Sequence, residues 1–484
     1  MLTRTSTQSL TGQLADRLAE RIRTRLLPPG ARLPSVRECA RQQGVSPYTV
    51  VAAYDQLLAQ GLVEARRQRG FYVRDAAPVQ EGRLANRSHG TNGPDAIGMP
   101  AAMAVQMMAS RVPADASSLI RSMFHRPSDK PQPGMGVFPP DWMSSTFMPT
   151  AVRRMTSTAA LQELSLQYGE PAGDMSLRRS LSQKLVGINV PATPDQIVTT
   201  IGATHALDIV SRTLLRAGDP VMVEEPGWAL EFARLEALGM RILPVPRRAD
   251  GPDLEVMAQY CKLHSPKLFV SVSVLHNPTG YSLTPGSAHR VLKLANEHDF
   301  HIVEDDTYSH LAPEHATRLS ALDGLQRTIY VSGFAKILAP NWRIGFLAAP
   351  PALKERLLET KLLATLTSPT LFERALSWCI DQGQLRRHSE RVRIRLDGAR
   401  GRAVKLAMSH GCTFASEPAG LFGWVDTGVD TDALTQRMLD QGYLLAPGSL
   451  FHARRPPSTM MRINFATSQD ATFWKVFSKV RDEL

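Results

Sequence analysis

Gly333-Phe334-Ala335-Lys336-Ile337-Leu338-Ala339-Pro340-Asn341-Trp342-Arg343-Ile344-Gly345 is the stretch from which the fold follows. Its one lysine, Lys336, stands among apolar neighbours, which is no setting for a solvated surface amine, and Arg343 follows seven residues later. Around it, short apolar runs such as Val221-Met222-Val223, Leu268-Phe269-Val270-Ser271-Val272 and His301-Ile302-Val303 alternate with helical patterns from about Gly136 onward. That alternation predicts an α/β domain with a mostly parallel sheet.

The segments between these elements carry a consistent set of polar residues. Gly202-Ala203-Thr204 follows the strand-like Ile197-Val198-Thr199-Thr200 and precedes a helical pattern, so its amides and the Thr204 hydroxyl can hold a phosphate at a helix N-terminus. Trp228, in Glu225-Pro226-Gly227-Trp228, is placed to stack on a flat ring. Further on come His276-Asn277-Pro278-Thr279-Gly280 and Glu304-Asp305-Asp306-Thr307-Tyr308. A lysine for a Schiff base, an acid for a ring nitrogen, an aromatic lid and phosphate donors are what pyridoxal 5'-phosphate requires of a protein.

Taken together, these segments resemble fold-type I pyridoxal phosphate enzymes of the class I aminotransferase group, over about residues 134–484. The resemblance implies that Lys336 forms the Schiff base, that Asn277 and Tyr308 bond the cofactor's ring hydroxyl, and that Asp305 pairs with the ring nitrogen. Asp306 is the neighbour with which Asp305 is most easily confused. Gly202, Ala203, Thr204 and Arg343 fall on the phosphate, with Arg343 forking onto it. Tyr168, in Tyr168-Gly169-Glu170-Pro171-Ala172-Gly173, resembles the tyrosine that reaches the phosphate of the neighbouring subunit's cofactor, which implies a homodimer with shared sites. Arg462, in Met461-Arg462-Ile463-Asn464-Phe465, matches the arginine that binds a ligand's α-carboxylate; a structural ion pair is the alternative. One departure stands out: the family's serine three residues before the lysine is Gly333 here, with Ser332 as a candidate to compensate, and a weaker hold on the cofactor is the consequence.

The N-terminal region has a different period. Leu10, Leu14, Leu18 and Ile22 mark one face of a first helix, a second runs from about Pro34 to Gln43, and Gly44-Val45 turns into a third, capped by Ser46 with Pro47 at its first position. Gly61 stops that helix, and Leu62 to Ala65 and Phe71 to Val73 read as two strands around the turn Arg66-Arg67-Gln68-Arg69-Gly70. Three helices and a basic hairpin make a winged helix-turn-helix. Over residues 1–74, twelve arginines stand against five acidic side chains, so +7 of the chain's +11 lies here, which points to a polyanionic partner. The candidate DNA contacts are Ser46, Tyr48 and Thr49 on the recognition turn, Arg32 and Arg37 beside it, and Arg66, Arg67 and Arg69 on the wing. Residues 8 to 74 resemble the GntR family of bacterial winged-helix regulators, with Pro47 where that family commonly places an arginine.

The expected organisation is therefore multidomain: a mainly α winged helix-turn-helix at 1–74, a linker at 75–133, and an α/β aminotransferase-like domain at 134–484 whose large subdomain spans about 165–345. Met99, Met103 and Met107 in the linker read as a docking stripe, and Arg386, Arg387, Arg391, Arg393 and Arg395 as a solvated helix face. The four cysteines form no Cys-x-x-Cys pair, so no metal site is expected, and no apolar run is long enough to span a bilayer, so a cytoplasmic protein without a membrane partner is expected. A GntR-like head, linker and aminotransferase-like body in this order resemble the MocR subfamily of regulators. That resemblance implies a DNA-binding transcription regulator in which an amino compound or the cofactor itself is sensed through Lys336. Two alternatives stay open at this point: an active aminotransferase with an accessory DNA-binding head, and a module that senses the cofactor without covalent chemistry on the effector.

Overall fold

The computed structural model describes residues 9–23, 26–66, 69–74, 128–157, 161–162 and 166–484, and the chain divides into two compact units, Met1–Arg126 and Pro127–Leu484. Residues 75–127, which include Met99, Met103 and Met107, and the wing residues Arg67 and Gln68 lie outside the described residues.

In the first unit, α1 (Leu10–Arg23), α2 (Val36–Gln43) and α3 (Pro47–Ala59) precede the hairpin β1 (Val63–Arg66) and β2 (Gly70–Val73). Helix α2 starts two residues later than its sequence pattern suggests, because the Ser35 hydroxyl accepts the Glu38 amide proton and so fixes the N-cap there. Ser46 caps α3 in the same way and Gly44 closes α2 in the left-handed region. Leu14, Leu18 and Ile22 of α1 are buried with Val50, Ala53, Tyr54 and Leu57 of α3. Burial of each large side chain contributes about 1.5–3 kcal/mol, a large share of the stability of so small a unit. The Tyr54 hydroxyl, inside this core, donates to Pro34 O at 2.9 Å and ties α3 to the entry of α2.

The second unit is built on a sheet of β3 (Ile197–Thr200), β4 (Pro220–Glu225), β5 (Arg241–Arg248), β6 (Gly251–Pro252), β7 (Leu268–Ser271), β8 (His301–Asp305), β9 (Thr328–Gly333) and β10 (Gly345–Ala348), in the order β3-β10-β9-β8-β7-β4-β5-β6. Strands β9, β8, β7, β4 and β5 pair in parallel, whereas β10 runs antiparallel to both of its neighbours and β6 is antiparallel to β5. Alternate residues of a strand serve opposite cores: Val221 and Val223 of β4 join one apolar cluster with Val303 and Val331, and Met222 joins another with Phe269 and Ile302. With both faces covered, the strands read as continuous apolar runs, which is why they stand out in the sequence.

A smaller antiparallel sheet follows, β11 (Thr413–Phe414), β12 (Phe422–Asp426), β13 (Ala446–Pro447) and β14 (Met460–Asn464), in the order β11-β12-β14-β13. Residues 128–133, expected in the linker, belong to this unit. Gln132 is buried and accepts from Leu444 N at 2.7 Å, and Asn464 N donates to Pro133 O at 2.9 Å. The composition of this stretch is that of a linker, yet backbone amides more than 300 positions away hydrogen-bond it. Among the described residues no helix is long and apolar enough to cross a membrane.

Candidate functional site

The loops that leave the carboxyl ends of β4, β7, β8 and β9 carry Trp228, Asn277, Tyr308 and Lys336, and Asp305 is the last residue of β8. Adjacent parallel strands deliver all five to one edge of the sheet, the edge where open α/β folds bind ligands.

A phosphate-sized cup forms where β3 turns into α4 (Ala203–Leu214). Gly202 occupies the N-cap at φ +81°, and no side chain caps the helix and no acid lies in its first turn, so the first amides are left to an anion. Two glycines make room around those amides. A Cβ at Gly345 would sit 2.6 Å from Ala203 N, and one at Gly333 would lie 3.3 Å from the same atom. Arg343 spans the mouth of the cup: its Nη2 donates to Ile201 O at 3.2 Å and lies 2.6 Å from the point a Gly202 Cβ would occupy. Gly202, Ala203, Thr204 and Arg343 are thus brought together. Ser332 is not among them. It is buried, and its hydroxyl donates to Asp306 O at 2.9 Å, so it does not replace the serine that Gly333 lacks.

Beyond the cup, the two aspartates at the end of β8 divide. Asp306 Oδ2 accepts from Arg318 Nε at 2.6 Å and from Tyr330 Oη at 2.9 Å, with the Asp306 and Arg318 side chains both fully buried. Asp305, on the opposite face of the strand, accepts from Thr307 N at 3.0 Å and Thr307 Oγ1 at 2.5 Å and has no cationic partner within ion-pair distance among the described residues. Burial raises its pKa to about 6, against the lowering effect of the Thr307 hydrogen bonds. An acid so placed is ready for a cation that the protein itself does not supply.

Lys336 Nζ, partly buried, donates to Gly136 O at 2.8 Å. Burial, with the positive charges of Arg462 and Arg343 and against the opposing charge of Asp305, lowers its pKa to about 8. An amine-acylating reagent applied to the cofactor-free protein is therefore expected to label Lys336 with a half-maximal rate near pH 8, where ordinary lysines respond near 10.4. Labelling of the Lys336 peptide that tracks the surface lysines would contradict this environment.

Arg462 is 1% exposed. Its Nη1 donates to Asn277 Oδ1 at 3.0 Å and its Nη2 to Gly134 O at 2.7 Å, and the guanidinium carbon lies 4.3 Å from the Phe422 ring centre, 5.1 Å from Phe451 and 5.4 Å from Trp228. Among the described residues no carboxylate pairs with it, Nε has no partner, and burial lowers its pKa to about 10. The described residues thus supply no structural ion pair for Arg462. Gly136 stands between the two cations, since a Cβ there would lie 3.6 Å from Lys336 Nζ and 3.7 Å from Arg462 Nη2. Tyr308 closes the group, edge-on to Phe422 at 5.5 Å, its hydroxyl held neutral by burial.

Tyr168 is 82% exposed. Sequence reasoning did not single out Gly134, Gly136, Phe422 and Phe451, which receive or surround the two cations. The one local sign was the Gly134-Met135-Gly136 spacing, hidden in a stretch with linker composition.

In the first unit, Arg32, Arg37, Ser46, Tyr48, Arg66 and Arg69 are exposed and Thr49 is half-buried. Arg66 is held by Glu64 at 2.8 Å and lies 4.4 Å from the Tyr72 ring centre, and the Arg32 side chain runs alongside Gly70 of the wing. Arg67 lies outside the described residues.

Residues 135–479 match the family described as aminotransferase class I and II, and residues 10–73 match bacterial regulatory proteins, gntR family. The chain is 27% identical over 464 residues to the uncharacterized HTH-type transcriptional regulator YdcR of Escherichia coli (strain K12), covering 94% of each. It is 29% identical over 387 residues to the probable rhizopine catabolism regulatory protein MocR of Rhizobium meliloti, covering 79% of this chain and 73% of that one. Among solved structures, the kynurenine aminotransferase of Pyrococcus horikoshii in complex with PMP superposes with a TM-score of 0.69 at 25% identity, over 78% of this chain and 96% of that one.

Proposed function

Because the chain belongs to the aminotransferase class I and II family and carries a gntR-family head, we propose that it is a DNA-binding transcription regulator of the MocR type, whose body holds pyridoxal 5'-phosphate and senses an amino compound or the cofactor itself. The head binds duplex DNA, the protein acts in the cytoplasm, and two copies form a homodimer in which Tyr168 reaches the partner's site. Full-length likeness to HTH-type regulators supports this reading over an aminotransferase with an accessory head.

The donor set fits the cofactor. Gly202, Ala203, Thr204 and Arg343 would hold its phosphate, Asp305 would keep a proton on its ring nitrogen, Asn277 Nδ2 and the Tyr308 hydroxyl would face its ring hydroxyl, and Trp228 would cover the ring. When bound, pyridoxal phosphate supplies an aldehyde for amines and an electron-withdrawing ring. The chain's own residues do the rest. Lys336 Nζ, with its pKa brought to about 8, can take up or release a proton near neutrality. Phe422, Phe451 and Trp228 exclude water around Arg462, which strengthens its hold on a carboxylate.

The observation that carries the reading of the effector is Arg462. A buried guanidinium without a counterion costs several kcal/mol, and a ligand carboxylate offsets that cost by fork-on-fork pairing. Such a ligand alters DNA binding only if it favours one arrangement of head and body over another. The test is operator binding by cofactor-loaded protein, titrated with amino acids and with amines that lack the carboxylate. An effective amino acid is expected to shift operator affinity about 5–150-fold, and Arg462→Gln is expected to remove the advantage of the carboxylate. Identical operator affinity with every amino compound would defeat this reading of the effector.

A further inference from the structure

The outward face of α3 differs chemically from the rest of the head. Tyr48 is 82% exposed and Val51 41% exposed, and a spacing of three sets them side by side on the helix. Pro47, also exposed, adds no side-chain donor. The two hydroxyls of the first turn are engaged with each other, Ser46 Oγ lying 2.8 Å from Thr49 Oγ1 and accepting from Thr49 N at 3.1 Å. Between Pro47 and Ala59 there is no arginine, lysine or asparagine, and the one glutamine, Gln56, lies in the second half of the helix, beyond its N-terminal turns.

A recognition helix enters the major groove by its N-terminal residues. On this helix those residues lack the forked donors that read guanine and the amide that reads adenine. Cations stand around the face instead of on it: Arg37 and Arg41 are exposed on α2, and Arg32 and Arg69 are exposed at the wing. This distribution commits the surface to duplex DNA, with arginines on the phosphates and an apolar patch turned to the bases. In the major groove the thymine 5-methyl is the apolar group that a base pair presents.

We propose that Tyr48 and Val51 read thymine methyl groups, so that each half-site is specified beneath α3 by T·A pairs and not by a guanine. The inference rests on the DNA-binding reading of the head and is independent of cofactor and effector.

The full-length protein is first used to select duplexes from a random library. Each thymine of a selected duplex is then replaced by uracil, which deletes the methyl and leaves every hydrogen-bonding group in place. At constant salt, one or two positions in each half-site are expected to lose about 3–10-fold in affinity. Tyr48→Ala or Val51→Ala is expected to erase that penalty. Because the salt dependence of binding counts phosphate contacts, Tyr48→Ala should leave its slope unchanged, whereas Arg37→Ala should reduce it by about 0.9. An unaltered thermal melt shows that the exposed Tyr48 position is free to change without unfolding the head. Uracil without effect at every position, or a uracil penalty that survives both alanine variants, overturns the proposal. Failure to select any duplex overturns the DNA-binding reading and the proposal with it.

Discussion

Lys336→Ala is expected to abolish covalent retention of pyridoxal phosphate completely, while the affinity of the cofactor-free protein for DNA stays unchanged. The amine lies at the carboxyl end of the parallel strands, hydrogen-bonded to Gly136 O and partly neutral near pH 8. The electrostatic neighbours that shape its pKa are Arg462, Asp305 and Arg343. None of them can substitute: guanidinium groups stay protonated and a carboxylate forms no such bond. Borohydride reduction followed by peptide mass spectrometry should place the cofactor's mass on the Lys336 peptide of the wild type and on no peptide of the variant. The loss of one hydrogen bond to Gly136 O should change stability by only about 1 kcal/mol, so a folded but unlabelled variant is the expected outcome. Equal labelling elsewhere in the variant would show that Lys336 is not the point of attachment, and a parallel loss of DNA binding would show that the substitution acts beyond the site.

The second large effect separates the two aspartates of β8. Asp306→Asn is expected to destabilise the protein by about 3–5 kcal/mol, because it leaves the fully buried Arg318 guanidinium without its counterion. Asp305→Asn should cost little in the cofactor-free protein and should stabilise it above pH 6. The sign follows from the direction of the shift. The folded-state pKa of Asp305 is raised to about 6 from a model-compound value of 3.8, so between those values the folded protein binds more protons than the unfolded chain and stability falls as pH rises. Removing the carboxyl removes that loss, so the variant's advantage is absent near pH 4 and largest above pH 6. Denaturant unfolding of both variants at pH 5 and pH 7.5 tests the contrast. Cofactor affinity should respond in the opposite order, with Asp305→Asn weakening it while Asp306→Asn, once folded, retains it. Equal destabilisation by the two amides would mean that Asp305 also carries a structural load.

The head was largely legible because its determinants are local. The serine cap at Ser46, the turn at Gly44 and a four-residue apolar period fix helices without reference to distant residues, whereas the Ser35 cap that sets the start of α2 was not read. The body's strands were legible for a related reason, since burial on both faces makes them uniformly apolar. The start of the body was not. Residues 128–133 have the composition of a linker, and their place in the body depends on bonds made across the fold, among them Leu444 N to the Gln132 side chain and Asn464 N to Pro133 O.

At the site, motifs named Lys336, Asn277, Asp305, Arg343 and Arg462 by resemblance, but several of their physical states could not be read from order along the chain. Ser332 was a candidate for the phosphate, yet strand alternation turns it to Asp306 O. Ser46 and Thr49 were candidate base contacts, and their mutual hydrogen bond leaves the adjoining Tyr48 as the outward group.

The amino-acid sequence by itself determined the periods, the caps and the segments that carry the chemistry, because each depends on residues within one or two turns of one another. Tertiary structure alone decided that Arg462 meets Asn277 and Gly134 O and, among the described residues, no acid, that Gly136 stands between two cations, and that Asp305 and Asp306 serve opposite faces. Those contacts join strands and loops as much as 328 positions apart. Their energies depend on burial and on which counter-charge is absent, and neither quantity exists until the sheet edge has assembled.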